Sequence, residues 1–285
     1  MDAINPIVNL LLEFDSTTPT DTVDCDPTGI VATDNTIIIA DNINHKLKAF
    51  DKCNGALIEE FEEIGGMKLK NPEQLVQHLD SLVLTSYGLD KIFHMDVNCR
   101  KIHHVISMPK FCDGICLDSS GSCIVSIATG KPRILFINED GIQKTIQLTA
   151  KNLPLFQLPY YIHSHGDILY ITDSGEHKLV AITTETEPKI LFEYTGDSKK
   201  KTSEPSREDH KLNEPRGVLV DPQGRILVCD HGNNRIQVLN TRGEFLMMLL
   251  SEKDGLEKPW AISYRAGELF VTQRGGKVKV FKYHI

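Results

Sequence analysis

The amino-acid sequence predicts an all-β fold, a six-bladed β-propeller closed by its own N-terminal strand. Three observations predict it. A strand–turn pattern recurs six times. The recurrences are spaced by 40 to 57 residues. The last copy stops one strand short, while the N-terminus supplies one strand too many.

The clearest copy opens at Pro215 and reads PRGVLVDPQGRILVCDHGNNRIQVLNTRGEFLMML. Val218 and Val220 lie in a β-branched run that ends at the turn Asp221-Pro222-Gln223-Gly224. Ile226, Leu227 and Val228 form the next run, closed by Asp230, and Arg235 to Leu239 alternate polar and apolar as a half-buried strand does. The turn Thr241-Arg242-Gly243 leads into Phe245 to Leu250. Weaker copies open near Pro27, Pro72, Cys112, Pro159 and Pro259. Their second strands, with that of the Pro215 copy, close at Asp41, Ser86, Ser126, Asp173, Asp230 and Gln273, separated by 45, 40, 47, 57 and 43 residues. Four short strands at that period make one propeller blade. The sixth copy ends after three strands, at Phe281 to Ile285, and the N-terminal Ile7 to Phe14 resembles the fourth strands elsewhere. The expectation is that this strand docks as the outer strand of the last blade and removes an open sheet edge. Residues 1–285 then form a single domain.

The Pro215 copy resembles the NHL repeat. Asn44-His45-Lys46-Leu47, Glu176-His177-Lys178-Leu179 and Asn234-Arg235-Ile236 are similar to the Asn-His-Leu-like stretch that names it. The resemblance spans nearly the whole chain, although blades 2 and 3 follow the repeat by spacing alone. In TRIM-NHL proteins such a six-bladed end is a cargo-recognition module for RNA or protein. RING, B-box and coiled-coil segments elsewhere carry ubiquitin-ligase activity and oligomerisation. No C-x-x-C pair of the RING kind occurs here. The resemblance therefore implies an excised or a divergent propeller that is a binding platform and not itself an enzyme.

Charge and composition narrow the partners. The net charge of −8 argues against a general nucleic-acid binder, and no DNA partner is expected. Residues 1–142 carry 11 Lys+Arg against 21 Asp+Glu, a net of −10, and residues 143–285 carry 20 against 18, a net of +2. One side of the ring is thus acidic. No apolar run reaches the roughly 18 residues of a membrane span. The start, MDAINPIVNLLLEFD, has an acid where a signal peptide needs a base. Seven cysteines, an odd number, and no N-x-S/T sequon favour free thiols and a cytoplasmic setting.

Topology locates a candidate surface. Strands a to d of a blade run up and down, so the b–c and d–a loops share one face. The residue after each blade opening belongs at the channel rim on that face, giving Thr28, Glu73, Asp113, Tyr160, Arg216 and Trp260. Blades 1–3 offer small or acidic groups, and blades 4–6 offer aromatic and cationic ones. The b–c loops of blades 4–6 add His177, Lys178, His231, Asn233, Asn234, Arg235, Arg274 and Lys277. The long Thr195–Asn213 connection, with Lys199, Lys200, Lys201 and Arg207, is expected to be mobile. Aromatics interleaved with cations suit base stacking on single-stranded RNA. The same residue types are protein–protein hot spots. An RNA site would be short and confined to blades 4–6, because blades 1–3 repel a polyanion.

Plainer roles compete at several of these positions. Trp260 can pack between blades, Arg235 can brace a neighbouring loop, the lysine triplet can be a solvated loop, and Asp41, Asp173 and Asp230 suit turn amides. Cys112, Cys116 and Cys123, preceded by His94, Cys99, His103 and His104, lack the paired spacing of a zinc site. Glu73 and Asp113 raise one alternative, a calcium-dependent hydrolase like the six-bladed lactonases, but Arg216 on the same rim opposes a cation. No metal or cofactor is expected, and no G-x-S-x-G elbow occurs.

Overall fold

Alternating β-branched and aromatic runs broken by turn residues give each repeat a four-stranded antiparallel sheet, and there are six such sheets. The structure, a computed structural model, describes residues 7–138, 140–147, 156–185, 187–196 and 210–284. Blade 1 comprises Pro27–Ala32, Thr36–Asp41, Lys46–Asp51 and Leu57–Phe61; blade 2, Pro72–His78, Ser81–Ser86, Lys91–Asp96 and Ile102–Ser107. Blade 3 comprises Ile115–Leu117, Cys123–Ile127, Arg133–Asn138 and Gly141–Gln147; blade 4, Pro159–His165, Ile168–Asp173, Lys178–Thr183 and Ile190–Tyr194. Blade 5 comprises Pro215–Val220, Ile226–Asp230, Arg235–Leu239 and Phe245–Leu250. Blade 6 takes Pro259–Arg265, Glu268–Gln273 and Lys277–His284 from the C-terminus, and Ile7–Asp15 pairs antiparallel with the last of these as its outer strand. The ring is therefore closed as the repeat count required. The inner strand of blade 3 starts at Ile115, three residues after Cys112, because Asp113 and Gly114 only bracket Ser126 with backbone hydrogen bonds before the ladder begins.

Inner strands of successive blades touch around the whole ring, blade 6 against blade 1 included. The core is a set of apolar layers between blades. Val31, Leu47 and Phe61 of blade 1 meet Leu75, Leu84 and Phe93 of blade 2, and Leu227 and Ile236 of blade 5 meet Leu269 and Phe281 of blade 6. Each such side chain, withdrawn from water, contributes about 1.5–3 kcal/mol before entropy is counted.

The opening prolines have a consistent role. Pro27, Pro72, Pro159, Pro215 and Pro259 pair with the closing residues Asp41, Ser86, Asp173, Asp230 and Gln273, and in each case the register shifts immediately afterwards. A bulge there frees the following residue from the ladder and re-aims its side chain. That residue is Thr28, Glu73, Tyr160, Arg216 or Trp260. Glycine follows in blades 1 and 5 because the next blade's backbone passes close. A Cβ on Gly29 would stand 2.7 Å from Glu73 O, and one on Gly217 would stand 2.9 Å from Trp260 O.

A second device joins blade to blade. His45, Asp90, His177 and Asn234 end the b–c loops with φ of 60°, 52°, 52° and 55°. Their side chains accept hydrogen bonds from Asn71 N, Phe111 N, Glu214 N and Lys258 N of the next blade's approach, at 3.1, 2.7, 2.9 and 2.8 Å. Those four residues also have positive φ. The His-like position of the repeat is thus a clamp between neighbours.

Candidate recognition site at the channel mouth

The five bulged residues and Asp113 converge. Thr28, Glu73, Asp113, Tyr160, Arg216 and Trp260, one from each blade, line a single recess of about 320 Å³ with Asp26, Asn42, Asn71 and Tyr87. The recess has a floor. Tyr161 Oη of blade 4 donates across the channel to Thr28 O of blade 1 at 2.5 Å. Gln74 Nε2 donates to Tyr160 O at 3.2 Å while its Oε1 accepts from Ile115 N at 3.1 Å.

One wall is a stack. The Arg216 guanidinium lies 4.7 Å from the Tyr160 ring centre and 4.6 Å from that of Trp260. His231 meets Trp260 edge-on at 4.9 Å. Burial, and then Arg216, push His231 down to about 4, so it is neutral at pH 7. Arg216 Nε and Trp260 Nε1 are buried and have no hydrogen-bond partner among the described residues. Each is a donor waiting for an acceptor.

The opposite wall is acidic. Glu73 accepts a short hydrogen bond from Asn42 Nδ2, and Asp113 Oδ2 accepts from Ala128 N at 2.7 Å. Burial, then Asp113 and Asp26, push the Glu73 carboxyl up to about 8. Burial pushes Asp113 up to about 6. Burial also raises Asp26, against the pull of Arg274 and Arg216.

The other residues singled out from the sequence are placed differently. Arg274 and Lys277 are exposed, and Arg274 is near enough to act on Asp26. Lys178 is buried, pairs with Glu193 at 3.3 Å and lies over the Phe156 ring. It sits at the start of a third strand, whose side chains pack between blades, so it is not a mouth residue. Arg235 pairs with buried Asp230 at 2.6 Å and donates to Lys211 O, which braces the neighbouring loop. His177 and Asn234 are the clamps described above. Asn233 donates to Asp230 and to Lys211 O. Asp173 accepts from Gln157, Leu158, Gly175 and Glu176 amides, the turn role its type suggests. Lys199, Lys200, Lys201 and Arg207 lie outside the described residues. Among the described residues, no three metal-ligating side chains converge, and all seven cysteines are free.

Asp26, Asn42, Asn71 and Tyr87 were not anticipated, yet they carry a positional signal. Asp26 and Asn71 precede an opening proline, and Asn42 and Tyr87 follow a strand-closing residue. The latter position also places Ser174 and His231 against the next blade's opening proline. Ser174 donates to Pro215 O at 2.7 Å, and His231 Nδ1 lies 3.3 Å from Pro259 O.

These features define a six-bladed β-propeller with a ligand-sized recess at one end of its channel. The chain carries an NHL repeat: residues 212–239, the approach to blade 5 and its first three strands, match that family. No curated protein sequence matches the chain. Solved propellers resemble it in fold. A streptogramin B lyase is 17% identical over 98% of each chain, with a TM-score of 0.64. A catalytically inactive virginiamycin B lyase from Staphylococcus aureus, solved with quinupristin, is 19% identical over 94% of this chain and 82% of the other, with a TM-score of 0.62. An auxiliary nutrient binding protein from Bacteroides thetaiotaomicron is 13% identical over 99% of this chain and 77% of the other, with a TM-score of 0.69.

Proposed function

We propose that the chain is a non-catalytic recognition platform that holds a protein segment at the channel mouth. The observation that carries this reading is the Tyr160–Arg216–Trp260 stack, with two unpartnered donors, on an open recess. Tyr, Trp and Arg in a half-desolvated hollow are the residues from which protein hot spots are made.

RNA fits the same recess less well. Asp26, Glu73 and Asp113 share it, and two of the cations that would meet phosphates, Lys178 and Arg235, are engaged by Glu193 and Asp230, although Arg274 and Lys277 are exposed. The resemblance of the repeat extends the reading to the cargo-selecting end of a TRIM-NHL-like ubiquitin ligase or post-transcriptional regulator. The fold likeness to streptogramin-type lyases raises an enzyme as the competing reading. Its supporting feature here is the protonated Glu73 facing the recess.

Affinity capture with the wild-type chain and an Arg216→Glu, Trp260→Ala variant tests the platform. The variant is expected to lose partners while still melting cooperatively. Partners retained by the variant would exclude this face. Tight binding of random single-stranded RNA that weakens steeply with salt would replace the protein reading with the RNA one.

A further inference from the structure

We infer that the acidic wall of the mouth receives one basic side chain, a lysine ammonium or an arginine guanidinium, from the bound protein segment. This rests on the platform reading above and adds the chemistry of the residue that is read.

Glu73 is 8% exposed and Asp113 is 2% exposed, yet both line the recess. Each carboxylate has one engaged oxygen. The other, Glu73 Oε1 and Asp113 Oδ1, accepts no hydrogen bond among the described residues. Neither group has an ion-pair partner there. Arg216, the cation on the rim, is stacked on Tyr160 and Trp260, and its charge lowers Glu73 without offsetting burial. A buried carboxylate without a cation is costly, and a partner that brings the cation recovers much of that cost. Burial weakens both acidities and so moderates the cost: Glu73, pushed up to about 8, keeps its proton at pH 7, whereas Asp113, pushed up to about 6, is largely ionised there. With Asp26 they line one side of the recess without converging on a metal-sized point. An ammonium with three donors, or a planar guanidinium with five, offers enough donors for the free oxygens of both carboxylates.

Protonation gives the site a signature. A bound cation favours the ionised carboxylates, so binding releases protons and tightens as pH rises through about 6 and then about 8.

The experiment is an array of blocked decapeptides, random except for a central Lys, Arg, norleucine or Glu, probed with the intact chain. Lys and Arg peptides are expected to be retained at least ~10-fold better than norleucine and Glu peptides, and at least ~10-fold better at pH 8.5 than at pH 5.5. The nearly isosteric Glu73→Gln, Asp113→Asn variant should bind peptides without that preference. Norleucine alters the ligand rather than the protein, so the comparison does not depend on how the variant folds. Equal retention of all four classes, or a flat pH response, overturns the basic-residue inference and leaves the platform reading standing. No retention of any peptide overturns both. Displacement of Lys peptides by millimolar calcium assigns the carboxylates to a metal and overturns the inference. Agmatine binding as tightly as the peptides assigns the recess to a free amine, with the same consequence.

Discussion

The guanidinium of Arg216 lies 4.6 Å from the centre of the Trp260 ring, and the two residues come from equivalent bulges in adjacent blades. Tyr160, on the bulge of the preceding blade, lies 4.7 Å from the same guanidinium. A cation–π contact contributes about 0.5–2 kcal/mol, more where water is excluded. Lysine would keep the charge but not the planar stack. Arg216→Lys is therefore expected to lower stability by about 1–2 kcal/mol in a denaturant titration. Partner capture should fall as well, because the planar guanidinium between Tyr160 and Trp260 is lost from the wall of the recess.

Stability should fall as pH rises through neutrality. Glu73 holds a proton in the folded chain up to about 8, whereas its ordinary value is 4.5. The folded state thus binds more protons than the unfolded state between those values, and stability present at low pH is lost as pH rises through the folded value. His231 and His163, pushed down to about 4 by burial, act in the opposite sense, but only below their ordinary 6.5. The clean window is pH 6.5 to 8, because the buried thiols, raised by burial above their ordinary 9.0, begin to act in the same sense above it. The melting temperature should drop across it in the wild type and stay nearly level in Glu73→Gln. An equal slope in both would assign the effect to another group.

How much of this was legible in the sequence differs between backbone and side chains. The opening prolines and closing acids mark positions where the chain cannot continue a ladder or must satisfy turn amides. Those constraints are local, so blade count, closure and rim membership could be read directly. Side-chain engagement is not local. Lys178 and Arg235 look like solvent-facing cations at the start of a strand. Their partners, Glu193 and the already buried Asp230, are settled only when strands pair. His177 and Asn234 look like loop polar groups, and their backbone clients 24 to 37 residues away become visible only when the next blade docks. Asn42 and Tyr87 were missed for the converse reason: each looks like an ordinary turn residue until the ring brings its neighbours inward.

The N-terminal strand should be required for a monodisperse ring. It pairs with Lys277–His284, Glu13 accepts a 2.6 Å hydrogen bond from Lys279 Nζ, and Phe14 packs 4.9 Å from Phe50 in blade 1. Removing residues 1–15 leaves the third strand of blade 6 as an unpaired edge. The truncated chain is expected to self-associate in size-exclusion chromatography and to melt at lower temperature. A synthetic peptide of residues 7–15 should restore the monomer. A truncated chain that stays monomeric with unchanged melting would remove the closing role from this strand.

The most destabilising single change away from the mouth should be at Lys48. Its Nζ is fully buried, 2.6 Å from Asp21 Oδ2, 2.7 Å from Asp41 Oδ2 and 3.0 Å from Ser16 O. Burial pushes Lys48 down, but hydrogen bonds to Asp21 and Asp41 outweigh it and leave the ammonium raised. Burial likewise pushes Asp41 up, and hydrogen bonds from Lys48 and Asn44 outweigh it. The cluster ties the segment after the N-terminal strand to the second and third strands of blade 1. Lys48→Met keeps the apolar stem, strands Asp41 without its cation and leaves Asp21 only its 3.5 Å pair with Lys46, which should cost about 3–5 kcal/mol. Adding Asp41→Asn removes the stranded charge and should recover part of that loss. The double mutant, measured by denaturant titration, separates charge from packing. If it is no more stable than Lys48→Met alone, the loss comes from the vacated volume rather than from the uncompensated acid.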